Sequence, residues 1–120
     1  MSEPLILIVD DAAFMRKMIK MTLGEAGINS FVEATNGDEA INLYKEHHPD
    51  LVMLDITMAG ISGLEVLKKI KGIDNTAKII MCSAIGQEQT VMEAIQCGAL
   101  DYVVKPSQKD KLVETVQNLL

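Results

Sequence analysis

The sequence predicts an alternating α/β fold, a parallel sheet covered by helices on both faces. Three observations carry this prediction. Five short strand-like runs recur along the 120 residues. Segments with apolar residues at helical spacing separate them. Three of the runs are continuously apolar, which suits central parallel strands buried on both faces.

The elements follow in order. Leu5-Ile6-Leu7-Ile8-Val9 is apolar throughout and strand-length. Phe14, Met18, Ile19 and Thr22 recur at helical spacing, and Gly27 offers a stop. Ser30-Phe31-Val32-Glu33 mixes in polar residues and reads as an edge strand. Asn36 can cap a helix through Ala40, Ile41, Leu43 and Tyr44, which must end before Pro49. Leu51-Val52-Met53-Leu54 is a second core strand, followed by a stripe of Leu64, Leu67 and Ile70 with Gly72 expected just beyond it. Ile79-Ile80-Met81-Cys82 is a third core strand. Val91, Ala94 and Ile95 mark a helix closed by Gly98. Tyr102-Val103-Val104 is the last strand, and Leu112, Val113, Val116 and Leu119 form the last stripe. Right-handed crossovers set which face each helix covers.

Composition narrows the function. Hydrophobic residues make up 48%, enough for a core. A net charge of −6, no Trp and 3% aromatics argue against nucleic-acid binding, which needs a basic footprint or stacking platforms. No apolar run approaches the ~18 residues of a membrane span. The start, Met1-Ser2-Glu3-Pro4, lacks the basic flank of a secretory signal, so a cytoplasmic, non-membrane protein is expected. Cys82 and Cys97 have no second Cys or His at metal-ligand spacing and read as plain apolar residues. His47-His48 reads as a solvated helix end, and the methionines read mostly as core filler.

Four strands end in residues able to do chemistry: Asp10-Asp11, Asp55, Ser83 and Lys105-Pro106. In an open α/β sheet the site lies outside the carboxyl ends of the strands, so these residues should meet. Two carboxylates about 4 Å apart repel by about 4 kcal/mol at an effective dielectric of about 20. A cationic partner relieves this, and Mg²⁺, hard and oxygen-seeking, suits a carboxylate set. Lys105 adds a mobile positive charge. Such a group around one carboxylate suits phosphoryl transfer, in which the carboxylate can act as nucleophile. Taken singly, each Asp is as well explained as a turn former or helix cap, Asp11 above all.

Ile8-Val9-Asp10-Asp11, Asp55-Ile56-Thr57-Met58 with Gly63 following, Ser83-Ala84 and Tyr102-Val103-Val104-Lys105-Pro106 together resemble response-regulator receiver domains. The likeness runs over residues 1–120, in motif order. The run Asp10-Asp11-Ala12-Ala13-Phe14-Met15-Arg16 is similar to the single-domain chemotaxis members. The resemblance implies a flavodoxin-like (βα)5 doubly wound five-stranded sheet of order 2-1-3-4-5, an order taken from the family and not from periodicity. It implies Asp55 as phosphoacceptor, and Mg²⁺ held by Asp11, Asp55 and the Thr57 backbone carbonyl, with Asp10 acting mainly through water. It implies Lys105 paired with phosphoryl oxygens, Ser83 donating its hydroxyl to them, and Tyr102 as an aromatic switch that follows Ser83. The protein would then be a signalling switch and not an enzyme, although it phosphorylates itself from a phosphodonor and dephosphorylates itself. Its implied partners are a chemotaxis-type histidine kinase, a downstream motor-switch or adaptor protein on the face of the fourth helix, fifth strand and fifth helix, and a phosphatase. A monomer is expected.

Four positions bear on the family pattern. Ala59 stands where Pro is common, Ser107 where Phe is common, and Thr57 and Ile85 occupy the variable positions linked to phosphoryl lifetime. A phosphorelay shuttle is the alternative within the class. An aspartyl-phosphate hydrolase of the haloacid-dehalogenase type needs a second Asp two positions after the nucleophile, where Thr57 stands. A flavin carrier would need a phosphate cradle in place of Asp10-Asp11, and no Walker loop is present.

Overall fold

The structure is a computed structural model and describes residues 3–58, 60–84, 87–104 and 109–120. Strands and helices alternate: β1 (Leu5–Val9), α1 (Ala13–Glu25), β2 (Ser30–Ala34), α2 (Gly37–His47), β3 (Leu51–Asp55), α3 (Gly63–Ile73), β4 (Ile79–Ser83), α4 (Glu88–Gln96), β5 (Asp101–Val104) and α5 (Lys109–Leu119). All sheet pairings are parallel, and the strand order is β2-β1-β3-β4-β5. The family order expected from the sequence is therefore the observed one.

Alternation within the strands explains the two-faced core. Successive side chains point to opposite faces. Leu7, Val9, Val52, Leu54, Ile79 and Met81 pack with Ala40 and Tyr44 of α2, Val66, Leu67 and Ile70 of α3, and Val91 and Ala94 of α4. Ile6, Ile8, Met53, Ile80, Cys82 and Val103 pack on the other side with Ile19 and Leu23 of α1 and Leu112 and Val116 of α5. Every residue of β3 and β4 is buried, which is why those runs carry no polar alternation. β2, with one exposed glutamate, lies at an edge as its composition implies.

Local signals act as the chemistry requires. The Asn36 side chain accepts from the Glu39 amide and caps α2, while the Glu39 carboxylate accepts from the Thr35 amide. His48, at φ 45°, closes that helix in the left-handed region just before Pro49. The Tyr44 hydroxyl donates to Asp74 at 2.9 Å, tying α2 to the end of α3. Burial first, then this bond to the carboxylate, pushes the Tyr44 phenol up to about 12.

Some expectations are corrected. Gly72 does not follow α3; it lies inside the helix, whose C-cap is Asp74. Of the stripe expected on α1, Ile19 and Thr22 are buried, joined by Leu23, while Phe14 is 70% exposed. Asp11 is not the cap of α1; Ala12 holds that position without a side-chain bond. Among the methionines, Met53, Met58 and Met81 are core, whereas Met21 and Met92 are exposed. Ala59, Ile85, Lys105, Pro106 and Ser107 lie outside the described residues. Both cysteines are free, as the sequence implies. Among the described residues, no helix is long and apolar enough to cross a membrane.

Candidate functional site

The carboxyl ends of β1, β3 and β4 meet at one edge of the sheet. Asp10 follows the last residue of β1, and its amide donates to the Ala34 carbonyl at 3.1 Å. That bond extends the β1–β2 ladder by one step and fixes the direction in which the chain leaves the strand. Asp10 Oδ1 then accepts from the Ala12 amide at 2.9 Å, turning the chain into α1. Arg16, one turn into α1, donates to the Asp10 carbonyl at 2.8 Å. The same guanidinium pairs with Glu33 of β2 at 3.0 Å, and Lys20 joins Glu33 at 2.9 Å. The bonded Lys20 ammonium holds the Glu33 carboxyl below its ordinary range; burial opposes this, and Arg16 adds a further, smaller lowering effect. Two helix cations on one strand carboxylate thus orient α1 over the acidic turn.

Asp55 is the last residue of β3 and is 3% exposed. It sits opposite Cys82 in the β3–β4 register, and the next amide, Ile56, donates to the Cys82 carbonyl. The Thr57 amide donates to Asp55 Oδ1 at 3.2 Å, which turns the carboxylate toward the loop after β3. From the other side α3 presses against this strand end. The Gly63 amide donates to the Ile56 carbonyl at 2.9 Å. A Cβ on Gly63 would lie 2.1 Å from the Asp55 carbonyl oxygen, so only glycine permits that approach.

Three of the residues expected at the site from the sequence come together. Asp10, Asp11 and Asp55 each bring a carboxylate oxygen within 4.8 Å of the others. Asp10 and Asp55 are buried and Asp11 is exposed. Ser83, the last residue of β4, is buried one position beyond the partner of Asp55. Tyr102 of β5 stands outward at 37% exposure, with the Lys111 ammonium 4.1 Å from its ring centroid. A cavity of about 200 Å³ is lined by Ser83 and Tyr102, together with Ala84, Glu88, Val91 and Met92.

The donor set fits a hard divalent cation. All three groups are carboxylates, without sulfur or imidazole. Three carboxylate oxygens within 4.8 Å of one another are near enough for one small cation to be shared among them, and the exposed Asp11 leaves a solvent-facing side for an ion that keeps some of its waters.

Gln87 belongs to the site and carries no sequence signal. Its Oε1 accepts from the Ala84 amide at 2.7 Å, and its Nε2 donates to Thr57 Oγ1. The bridge crosses from the loop after β4 to the loop after β3. It rests on a contact between positions 30 apart in the chain, which no local spacing announces.

Comparison with known proteins identifies the family. Residues 6–117 match the response regulator receiver domain family. The chain belongs to that family. Chemotaxis protein CheY of Bacillus subtilis (strain 168) is 55% identical over 115 residues, covering 96% of each chain. A crystal structure of a CheX-CheY-BeF3-Mg²⁺ complex from Borrelia burgdorferi superposes with a TM-score of 0.90 at 36% identity, covering 97% of this receiver and 88% of that chain. NtrX from Brucella abortus, in complex with ADP, superposes with a TM-score of 0.91 at 30% identity. This chain spans 27% of the NtrX chain. The receiver fold is thus shared with short chemotaxis proteins and with a much longer regulator.

Proposed function

We propose that this chain is a phosphorylation-activated response regulator of chemotaxis type, in which Asp55 accepts a phosphoryl group in the presence of Mg²⁺. The observation that carries the reading is the meeting of three carboxylates at the end of β3, with the acceptor buried among them. The likeness to CheY supports the chemotactic setting. We take residues 1–120 as one receiver domain acting in the cytoplasm as a switch, with no substrate beyond its phosphodonor.

The chemistry follows from position and charge. An Asp55 carboxylate oxygen attacks the phosphorus of a phosphohistidine on the partner kinase. The new P–O bond forms as the P–N bond breaks, and the imidazole leaves, taking up a proton. Mg²⁺, when bound, neutralises charge on the transferring group. Asp11, Asp55 and the Thr57 carbonyl would hold the ion, with Asp10 acting through water. The Thr57 amide keeps Asp55 oriented. Ser83 and Lys105 supply a hydroxyl and a positive charge for the phosphoryl oxygens.

Output is a shift in population. The phosphoryl group adds roughly two negative charges at the end of β3. A conformation that brings Ser83 and Lys105 onto it gains population by their differential binding. The cavity beside Ser83 gives Tyr102 room to turn inward as Ser83 moves. The surface of α4, β5 and α5 then changes for a motor-switch or adaptor protein, and a phosphatase resets it. The test is phosphorylation by acetyl phosphate with and without Mg²⁺, read by mass, and repeated with Asp55→Asn. Labelling only of wild type and only with Mg²⁺ is expected. Labelling of the mutant, or without the ion, refutes the assignment.

A further inference from the structure

Gln87 breaks a local rule. It occupies the N-cap of α4, a position that favours Ser, Thr, Asp or Asn, and its side chain makes no capping bond. The side chain reaches away from its own helix and spends both ends of the amide on the loops flanking Asp55. Its Oε1 takes the Ala84 N–H, the amide immediately after Ser83 at the end of β4. Its Nε2 takes the hydroxyl of Thr57, two residues past the acceptor. Local rules broken without local gain are characteristic of functional positions.

Ala84 follows the end of β4, the strand paired with β3, and Asp55 ends β3. A backbone N–H at such a neighbouring strand end is a natural donor to an anion arriving at the carboxylate. Here that donor is filled by a neutral amide oxygen. A phosphoryl oxygen carries charge and accepts hydrogen bonds more strongly than an amide does. We infer that Gln87 is a positioning residue whose side-chain amide stands in for the phosphoryl oxygen in the resting state, and must give up the Ala84 N–H when Asp55 is phosphorylated. The bridge then opposes phosphorylation. It holds the two loops together while the site is empty and releases them when a stronger acceptor arrives. This rests on the role proposed above for Asp55, and adds to it the group that sets how readily the resting state yields.

The sign of one measurement decides. Binding of beryllium fluoride with Mg²⁺ is followed by calorimetry for wild type, Gln87→Met and Gln87→Glu, beside the urea midpoint of each unliganded protein. Methionine keeps the length and removes both bonds. It should lower the unliganded urea midpoint yet tighten the anion by about two- to tenfold, the span that one net hydrogen bond supplies. Glutamate should weaken binding, since a carboxylate holds the N–H more firmly and repels the anion. A merely structural bridge gives the opposite sign for methionine: looser loops cost more to order, and the anion binds more weakly. Equal or weaker binding by Gln87→Met, with wild type binding normally, overturns the inference. Failure of wild type itself to bind overturns the Asp55 reading beneath it.

Discussion

Replacing Gly63 with alanine should damage the site through the backbone of Asp55. The added Cβ would stand 2.1 Å from the Asp55 carbonyl oxygen, 2.8 Å from Ile56 Cα and 2.9 Å from the Asp55 carbonyl carbon. Ordinary contacts begin about 1 Å further out, and all three atoms are main chain, so no side chain can rotate away. Either β3 or the start of α3 must shift by about that amount, against a strand whose residues are all buried. Overpacking of this kind costs about 1–3 kcal/mol. The bond from the Gly63 amide to the Ile56 carbonyl, now 2.9 Å, lengthens as well and loses about 0.5–1.5 kcal/mol. The total is about 1.5–4.5 kcal/mol. At about 2.1 cal/mol/K of unfolding entropy per residue, each kcal/mol lowers Tm by roughly 4 °C, so the loss is about 6–18 °C. The internal control is Gly72→Ala. Gly72 lies inside α3 with nothing within 4 Å of a new Cβ, so alanine should stabilise by about 0.5–1 kcal/mol. Thermal melts of both variants, each with and without Mg²⁺, provide the assay. The Gly63 variant should also lose most of its Mg²⁺-dependent stabilisation, because the shift carries the Asp55 carboxylate with it. A Gly63→Ala protein within about 0.5 kcal/mol of wild type, with a full Mg²⁺ response, refutes the close approach of α3 to Asp55.

Other outcomes are open to the same methods. Mg²⁺ at a hundredfold excess over its Kd should stabilise wild type by about 2.7 kcal/mol, and Asp11→Asn should abolish most of that gain in urea titrations. The Glu33 carboxyl is held below its ordinary 4.5, so its contribution is complete above that value and is lost as pH falls through the lower folded-state value. Glu33→Gln should therefore be less stable than wild type near neutrality, with the gap closing in acid; a gap that widens in acid contradicts the ion pair. Lys111→Met removes the cation over Tyr102, an interaction worth about 0.5–1 kcal/mol at exposed sites. The inward population of the Tyr102 ring should rise about two- to fivefold, read by fluorotyrosine NMR, and an unchanged spectrum argues that packing alone holds the ring outward.

Much of the fold was legible because burial on two faces leaves a plain mark. Leu5–Val9, Leu51–Leu54 and Ile79–Cys82 carry no charge, and they form the three interior strands. Asn36 and Gly98 acted as the punctuation their chemistry suggests, Gly98 at φ +112°. The misreadings share a cause. Phe14 and Ile19 both fit the apolar spacing of α1, but periodicity cannot say how the helix is rotated on the sheet. The rotation is set by contacts such as Arg16 on the Asp10 carbonyl and Glu33. Gly72 looked like a terminator, yet an exposed helix interior tolerates glycine for about 1 kcal/mol, less than the surrounding packing supplies.

The candidate site was legible for a related reason, and Gln87 was not. A parallel sheet gathers its strand ends at one edge, so residues at those ends are neighbours whatever their separation in sequence. Asp10, Asp11, Asp55 and Ser83 are tied to strand ends, and strand ends can be read from hydrophobic runs. Gln87 is tied to no such landmark. It acts only because two loops, set by independent strands, come within reach of one long side chain. Strand-end groups are placed by the topology of the sheet, whereas a loop-bridging group such as Gln87 depends on which side chains the loops carry. On the inference drawn above, the resistance of this resting receiver to phosphorylation is then tuned where Gln87 and Thr57 meet, beside the acidic cluster.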